Sequence, residues 1–369
     1  MKLRTDDFQH RLADARAQWS KDGHTVLRYG DPINEYWAVR DGGLGLIDRS
    51  ERETIVIHGD DTIPWLQGLI TADLMTLQQE GSGLRSSIVN QVGKAICDMR
   101  ILHMPEMLIC DVEPGNLKSN DIMHHLGRHI IMENVKVLDR TPHTTRLTVT
   151  GEHSAELLDK VGRFDRKVAS IKTMYYGTWG QIAGCDVVIQ RIELTGELTF
   201  DISCSRDDAA TVWSACFEGS DQVRLVGSEA LKMLRMEAGV VAFNGEEYHN
   251  KIIPIEANLN DTISYDKGCY LGQEVIHRLD TRGKPAKMLR ALVPASSATT
   301  HTLAIGQKCT LEGKKVGDVV SISRSPLRDD VEFGWAYLKR NAYDSGKTVT
   351  IEDVEYSVVE PSNLVDLSH

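Results

Sequence analysis

The sequence predicts an α+β protein that ends in a smaller all-β part, and three observations support this prediction. Strand and helix patterns alternate from residue 53 to about residue 237. A strand–glycine–acid–helix unit occurs twice, as "IVIHGDDTIPWLQ" at 55–67 and as "LTVTGEHSAELLD" at 147–159. After about residue 285 every segment has a strand-like pattern with turns that contain Gly or Asp, which indicates a small barrel or sandwich.

The individual elements follow from these patterns in chain order. Strands are predicted at 53–59, 106–112, 145–151, 187–194 and 198–204. Helices are predicted at 60–77, with Asp60 or Asp61 as its cap, and at 116–132, 152–162, 206–219 and 227–238, the last ending before Gly239. The change of pattern places a domain boundary after residue 285, so the predicted domains are 1–285 and 286–369.

Composition excludes several classes of protein. The 369 residues are 41% hydrophobic and 26% charged, which is ordinary for a soluble globular chain. The net charge of −11 argues against a nucleic-acid-binding protein, which needs a basic surface. No apolar run approaches the roughly 18 residues of a transmembrane helix, and the start lacks the apolar region of a signal peptide. The seven cysteines are scattered and form no C-x-x-C pair, so we expect free thiols in a reducing cytoplasm.

The stretch "QRIELTGELTFDIS" at 190–203 contains the first candidate site. Gly196, between Thr195 and Glu197, allows a tight connection between two strands. The Glu197 carboxylate would then lie at the rim of a sheet, where it can accept two hydrogen bonds. A flat heterocycle with an N–H beside an amino group is a natural partner. The alternative interpretation is an ordinary hairpin turn with a solvated glutamate.

Two further charged positions are candidates. Asp98 lies in the apolar, strand-like run "NQVGKAICDMRILHM", where an unpaired carboxylate is costly. It therefore lies near water, is paired, or is tuned for function. Arg235 precedes Glu237 in the predicted helix end "LRMEAG", and the alternative here is a simple surface ion pair.

The stretch "KGCYLGQEVIHRLDTRGK" at 267–284 surrounds Cys269 with basic residues. A cysteine needs a lowered pKa to react at neutral pH, and nearby positive charge supplies one route to this. The alternative is a buried structural cysteine. No second Cys or His lies at finger-like spacing, so we predict no metal site there. His125 and His129 of "HHLGRH" lack the Glu of an H-E-x-x-H motif, and we interpret them as histidines on a helix face.

The order of these motifs resembles the glycine-cleavage T-protein superfamily of tetrahydrofolate-binding proteins and, within it, the YgfZ-type folate-binding proteins. The YgfZ signature K-G-C-[FY]-x-G-Q-E is matched at 267–274, and Arg278 and Arg282-Gly283 follow it. The T-protein pattern R-x-x-Y-T-G-E-x-G-x-E is matched at Arg191, Thr195, Gly196, Glu197 and Asp201, with Leu194 and Thr199 as departures. The segment L-R-x-E-A-G is matched at 234–239.

The departures separate two branches of the superfamily. A T-protein has Asp where this chain has Cys269, and a pair of Asp residues where this chain has Cys97 and Asp98. A T-protein usually also has Arg at the position of Leu231. The cysteine therefore favours the YgfZ branch over a standard glycine-cleavage enzyme.

The resemblance implies a three-part ring around a central folate channel, built from two α+β portions and a C-terminal β-barrel. It implies a cytoplasmic, monomeric, tetrahydrofolate-binding protein that assists the maturation or repair of iron–sulfur client proteins. Cys269 would be the working thiol and Glu197 would hold the pterin ring. Further folate contacts are expected from a set of motif residues, Arg191, Thr195, Arg235, Lys267, Tyr270 and Gln273.

Two other functions stay open at this point. The first is a folate-dependent one-carbon transferase, an aminomethyltransferase or demethylase, in which Asp98 would position or activate the amine that forms the new bond to carbon. The second is a non-catalytic binding module that has kept the fold and lost the ligand.

Overall fold

The computed structural model describes residues 17–243, 246–296 and 302–365, and it shows an α+β protein. The strands within this part are β1 (Gln18–Trp19), β2 (Val26–Arg28), β3 (Leu44–Asp48), β4 (Glu53–His58), β5 (Gly83–Val89), β6 (Ala95–Met104), β7 (Met107–Val112), β8 (Lys136–Asp139), β9 (Thr144–Thr150), β10 (Gly162–Phe164), β11 (Gly177–Ile182), β12 (Cys185–Ile192), β13 (Thr199–Ser205), β14 (Val223–Leu225), β15 (Lys287–Pro294), β16 (Lys308–Leu311), β17 (Lys314–Ser325), β18 (Val331–Lys339), β19 (Thr348–Ile351) and β20 (Val354–Val359). The α-helices are α1 (Pro32–Arg40), α2 (Thr62–Gln67), α3 (Asn116–Ser119), α4 (Ile122–Gly127), α5 (Ser154–Val161), α6 (Ala209–Glu218), α7 (Ser228–Glu237) and α8 (Gln273–Arg282).

The described residues form two compact units that differ from a simple division in chain order. The first contains residues up to Leu66 together with Leu74–Arg85 and Met99–Leu234. The second contains Gln67–Asp73, Ser86–Asp98 and the chain from Arg235 onwards. The boundary predicted after residue 285 stays a prediction; the first strand of the C-terminal barrel, β15, begins at Lys287.

A seven-stranded sheet forms the main layer of the first unit. Its strand order is β10-β11-β12-β13-β9-β3-β14, and β14 pairs with β3 in parallel while the other neighbouring strands are antiparallel. The apolar side chains of β9, β12 and β13 pack against α5 and α6 in one buried cluster. Burial of this apolar face, at roughly 25 cal/mol per Å², is what stabilises the layer.

A second, five-stranded sheet has the order β5-β6-β7-β4-β8. Within the first unit, Leu102 and Met104 of β6 contact Val188 of β12 in a small apolar cluster. These contacts bring one face of the five-stranded sheet against the seven-stranded sheet.

The C-terminal part is a closed six-stranded barrel with the order β15-β18-β17-β16-β19-β20. Closure leaves no free sheet edge, and the interior is filled by buried side chains such as Leu292, Val319 and Tyr356. The sequence left a barrel and a sandwich open, and the structure shows the barrel.

The two copies of the strand–glycine–acid–helix unit share a backbone feature. Gly59 and Gly151 end their strands with φ angles of +126° and +125°, a region that side-chain-bearing residues rarely adopt. A Cβ atom would lie 2.0 Å from the Asn134 carbonyl oxygen at Gly59, and 2.2 Å from the Gly43 carbonyl oxygen at Gly151. The repeated glycine is therefore required by close backbone contact at both places.

Two predicted helices are shorter in the structure than the patterns indicated. The predicted helix at 60–77 is helical only over Thr62–Gln67, because carbonyl oxygens of the following segment accept hydrogen bonds from a lysine ammonium instead of helix N–H groups. The predicted helix at 116–132 is split into α3 and α4 at Asp121, whose φ angle is +50°. Apolar spacing alone did not reveal either interruption.

Candidate functional site

The connection that carries Glu197 is a six-residue loop rather than a tight two-residue hairpin. Ile192 of β12 pairs with Thr199 of β13, so residues 193–198 join the two strands. Gly196 has a φ angle of +84°, which lets the chain reverse just before Glu197. The loop thus places Glu197 at the end of the seven-stranded sheet, where the sequence predicted it.

Hydrogen bonds among three threonine hydroxyls stabilise this loop. The Thr195 Oγ1 atom lies 2.6 Å from Thr150 Oγ1, which in turn lies 2.8 Å from Thr199 Oγ1. The Thr199 hydroxyl donates to the Glu197 carbonyl oxygen at 2.9 Å, and all three threonines are fully buried. Thr199 is one of the departures from the T-protein pattern, and here its hydroxyl fixes the turn in place of a glycine.

The Glu197 side chain forms a buried ion pair that the sequence did not predict. Arg40, the last residue of α1, donates from Nη1 to Glu197 Oε1 at 2.7 Å. The Arg40 side chain is 2% exposed and the Glu197 side chain 8%. No local sequence signal marks this pair, because the partners are 157 positions apart.

In the part of the chain that the structure describes, Arg191 donates hydrogen bonds to backbone carbonyl oxygens. Its Nη1 atom donates to the carbonyl oxygens of Ile171 at 3.2 Å and Lys172 at 2.5 Å. Arg191 therefore fixes the loop after residue 170 against strand β12.

The last acid of the same pattern, Asp201, belongs to a buried charge cluster. Thr148 donates to its Oδ1 atom at 2.5 Å, and the Nη1 atoms of Arg100 and Arg146 lie 3.1 and 3.6 Å from its Oδ2 atom. The cluster extends to Asp111, whose carboxylate lies within 3.0 Å of Arg52, Arg100 and Arg146. The three arginines are each less than a tenth exposed.

This cluster determines the charge state of its acids. Burial alone would raise the pKa of Asp111, but Arg100, Arg146 and Arg52 outweigh it and hold that pKa well below its usual range. Glu113 follows the same balance between burial and Arg52, and its pKa falls to about 2. A sequence signal was available: charged residues recur inside apolar strand patterns, and buried charges have to be paired.

In the second unit, Lys267 is a structural anchor for the Cys269 loop. Its ammonium group donates to three carbonyl oxygens, those of Gln67 at 2.6 Å, Ile70 at 2.9 Å and Ala72 at 2.6 Å. Burial lowers the pKa of Lys267 to about 8, and the negative charge of Asp73 opposes this shift. An ammonium has three donors, and each contacts one of the three carbonyl oxygens.

The other motif residues complete the frame around the thiol. Tyr270 is buried, and its ring centroid lies 5.1 Å from Lys267 Nζ. Gly272 has a φ angle of +82°, and a Cβ atom there would lie 2.5 Å from the Asn90 carbonyl oxygen. Helix α8 begins at Gln273, whose side chain reaches the Lys267 carbonyl oxygen at 3.5 Å. The motif therefore fixes the conformation of the short loop that precedes helix α8 in the chain.

Cys269 is the one exposed cysteine of the seven, all of which lie in the described ranges. Neighbouring Gly268 is also exposed, and a Cβ atom there would meet nothing within 4 Å. By contrast, burial raises the pKa of Cys110, Cys204 and Cys216 to about 12. The loop thus exposes the Cys269 thiol, and the hydrogen bonds of Lys267 fix the backbone of the loop.

Asp98 and Arg235 also lie in the second unit, and both are buried. Asp98 occupies strand β6 and is 5% exposed. Arg235 forms a two-pronged hydrogen-bonded pair with Glu247, with both distances 2.6 Å, and donates to the Val240 carbonyl oxygen at 2.5 Å. The structure therefore gives Arg235 an internal carboxylate partner, instead of the surface pair with Glu237 considered from the sequence.

The structure separates the predicted site residues into two groups. Arg191, Thr195 and Glu197 lie in the first unit, and the second group comprises Asp98, Arg235, Lys267, Cys269, Tyr270 and Gln273. Within the first group only Thr195 and Glu197 share a described contact, from the Glu197 N–H to Thr195 Oγ1 at 3.3 Å. Within the second, Lys267 contacts Tyr270 and Gln273.

His125 of α4 and His129, which follows the helix, each form a local hydrogen bond through Nδ1. His125 Nδ1 lies 2.9 Å from the Arg128 guanidinium, and His129 Nδ1 lies 2.7 Å from the His125 carbonyl oxygen. Burial, with Arg128 nearby, lowers the pKa of His125 to about 4. Across residues 17–243, 246–296 and 302–365, no three His, Cys, Asp or Glu side chains are grouped as metal ligands. In the same ranges no helix has the length and apolarity needed to span a membrane.

Comparisons with known proteins agree with this architecture. The fold is similar to that of the glycine cleavage system aminomethyltransferase T from Bartonella henselae, with a TM-score of 0.84, 20% identity and 98% of each chain covered. This likeness confirms the predicted α+β fold with its C-terminal barrel.

Curated relatives cover most of the chain. An aminomethyltransferase of Halothermothrix orenii is 25% identical over 328 residues, which is 88% of each protein. An aminomethyltransferase of Caldanaerobacter subterraneus subsp. tengcongensis is 27% identical over 306 residues, 81% of this chain and 78% of that protein. A putative chloroplastic transferase of Arabidopsis thaliana is 27% identical over 359 residues, 96% of this chain and 78% of its own length.

The family is decided by a domain match. The model of the GCVT N-terminal domain matches residues 24–267, which is more than half of the chain and contains the Glu197 loop, Asp98 and the start of the Cys269 motif. The chain therefore belongs to the aminomethyltransferase-related family that the GCVT N-terminal domain defines.

Proposed function

We propose that this chain is a tetrahydrofolate-binding protein of the YgfZ type that uses Cys269 as a working thiol in the maturation or repair of iron–sulfur proteins. The observation that supports this most is the single exposed thiol of Cys269 on a loop anchored by Lys267. A cysteine placed this way is accessible to a partner protein, and its backbone is fixed before contact. The proposal places the chain in the cytoplasm as a monomer, where free cysteines stay reduced.

The chemistry around Glu197 fits a pterin. A carboxylate only accepts hydrogen bonds, and a pterin offers an N–H beside an amino group as donors. Arg40 balances the carboxylate charge at 2.7 Å, so the pair suits a neutral heterocycle. When bound, tetrahydrofolate supplies two nitrogen atoms that can carry a one-carbon unit.

The remaining motif residues receive supporting roles in this proposal. Thr195 and Arg191 fix the segments on either side of strand β12, so that Glu197 meets the pterin from a held loop. Arg235 secures the end of α7 through Glu247. Lys267, Tyr270 and Gln273 shape the Cys269 loop, and the resemblance assigns them folate contacts.

Replacement of Cys269 by Ala tests the thiol. In cells that lack their own protein of this type, Cys269→Ala should fail to restore the activity of an iron–sulfur enzyme, while the purified variant keeps its thermal unfolding midpoint. The matched control is Cys185→Ala, a half-buried cysteine away from the motif, which should restore activity. Full restoration by Cys269→Ala would overturn the role of the thiol.

A second candidate function is a folate-dependent one-carbon transferase, because relatives named aminomethyltransferase cover most of this chain. In this candidate Asp98 positions or activates the donor amine. Incubation with tetrahydrofolate and aminomethyl or methyl donors would then give methylene- or methyl-tetrahydrofolate, and Asp98→Asn should abolish the product. No product with any donor tried would count against the transferase.

A further inference from the structure

The ion pair between Arg40 and Glu197 is buried on both sides. The Nη1–Oε1 distance is 2.7 Å, and the two side chains are almost fully removed from solvent. A buried carboxylate without a cationic partner costs several kcal/mol, so the position of the guanidinium determines where this carboxylate can lie.

Arg40 itself also contacts Leu234 and Tyr36. Its Nη2 atom donates to the Leu234 carbonyl oxygen at 3.3 Å, near the end of α7. Its guanidinium carbon lies 5.7 Å from the centroid of the Tyr36 ring, which is fully buried. These contacts, through Nη2 and through the guanidinium face, restrict the freedom of the guanidinium to follow Glu197 if the carboxylate turns away.

The Glu197 backbone is fixed independently of Arg40. The Thr199 hydroxyl donates to the Glu197 carbonyl oxygen, and the Glu197 N–H donates to Thr195 Oγ1. The loop therefore sets the location of the residue, and Arg40 sets the direction of its carboxylate. Removal of Arg40 should change the carboxylate without unfolding the loop.

We propose that Arg40 is a positioning residue for ligand binding, which acts through Glu197 and orients its carboxylate toward a planar heterocycle that donates adjacent N–H and amino hydrogens. The inference rests on the proposed folate-binding function. A carboxylate oriented before binding loses less rotational freedom when the ligand arrives, so the affinity is higher than with a mobile glutamate. Arg40 has no acceptor atoms, so the pair selects ligands that offer donors to the carboxylate.

The test compares dissociation constants for tetrahydrofolate, followed by tryptophan fluorescence, in Arg40→Met, Arg40→Lys, Glu197→Gln and the double variant. Arg40→Met should weaken binding by about tenfold, because the ligand then has to order a glutamate side chain that Arg40 no longer orients. Arg40→Lys should recover part of the affinity, because lysine restores the charge without the planar fork. In the Glu197→Gln background, Arg40→Met should change affinity by less than about twofold, because the group through which Arg40 acts is gone.

Controls separate positioning from a loss of folding. Arg206→Met removes a half-buried arginine that donates to the Ser50 and Thr141 carbonyl oxygens, and it should lower the unfolding midpoint but leave the dissociation constant unchanged. The double variant lacks both charges and leaves no buried ion unpaired, so it remains measurable if Arg40→Met alone does not fold.

The outcomes distinguish the positioning role of Arg40 from folate binding itself. Wild-type affinity in Arg40→Met, or an equal loss from Arg40→Met with and without Glu197→Gln, would overturn the positioning role and leave folate binding intact. No saturable binding by the folded wild-type chain would overturn the proposed function and this inference with it.

Discussion

Lys267 provides the prediction whose size follows most directly from the structure. Its ammonium contacts the carbonyl oxygens of Gln67, Ile70 and Ala72 at 2.6–2.9 Å, and the residue is 8% exposed. Lys267→Met keeps most of the side-chain length but removes all three donors. The three carbonyl oxygens then lack the cation that now satisfies them.

Two opposing contributions determine the change in the free energy of unfolding. Each hydrogen bond to the ammonium contributes about 1.5–3 kcal/mol, which gives about 5–9 kcal/mol for three. Burial of the ammonium, which also lowers the pKa of Lys267 to about 8, opposes this sum. The net loss of stability in Lys267→Met should be about 2–6 kcal/mol.

Urea denaturation followed by circular dichroism measures this loss. Lys284→Met is the matched control, because Lys284 is largely exposed and its 3.4 Å ion pair with Asp344 should contribute less than about 1 kcal/mol. Hydrogen exchange should also accelerate at residues 67–73 in Lys267→Met. If Lys267→Met unfolds within about 1 kcal/mol of wild type, the lysine does not anchor the loop and this reasoning is refuted.

The remaining predictions concern the motif loop and the buried charges. Gly272→Ala should lower the free energy of unfolding by about 2 kcal/mol or more, because φ is +82° and a carbonyl oxygen lies 2.5 Å from the new Cβ. The control Gly268→Ala should change it by less than about 0.5 kcal/mol, and equal thermal midpoints for the two variants would contradict this prediction. Asp111→Asn should cost about 3–5 kcal/mol in urea unfolding, since it leaves three buried arginines with one carboxylate fewer to balance their charge; a loss below about 1 kcal/mol would count against a structural charge cluster. Because the folded pKa of Glu113 is about 2, below the usual 4.5 of a glutamate, its stabilisation is complete above pH 4.5 and declines as pH falls toward 2, and a Glu113→Gln variant should lose that part of the acid sensitivity in unfolding curves measured from pH 7 to pH 2. Native protein should react most rapidly with a thiol reagent at Cys269, more slowly at the half-buried Cys185, and Cys269→Ala should abolish the rapid phase; rapid reaction at any of the five buried cysteines would contradict their burial.

Sequence patterns predicted the fold well where apolar spacing and strand type agree. Strand β4 and strand β9 were predicted nearly to their ends, and the strand-rich pattern after residue 285 predicted the β character of the barrel. The helix predicted at 60–77 failed because the Lys267 ammonium, about 200 residues away, binds the carbonyl oxygens of that segment. Contacts between distant residues of this kind leave no periodic signal in the chain.

The candidate site was predictable only in part. The Thr195-Gly196-Glu197 turn marked the Glu197 loop, and the motif at 267–274 marked the Cys269 loop. The partner of Glu197 was not predictable, because Arg40 ends a helix 157 positions earlier and reaches the loop only through the fold. Lys267 is one of the basic residues around Cys269 in the sequence, and only the fold shows that its ammonium contacts backbone carbonyl oxygens.

The measurement that tests the central claim most directly is calorimetric titration of the folded chain with tetrahydrofolate. We predict saturable binding at one site per chain, weakened by about tenfold or more in Glu197→Gln and unchanged in Glu193→Gln, an exposed glutamate on the same loop. No saturable binding by the wild-type chain, as expected for a module that has lost its ligand, or equal binding by Glu197→Gln, would contradict the account.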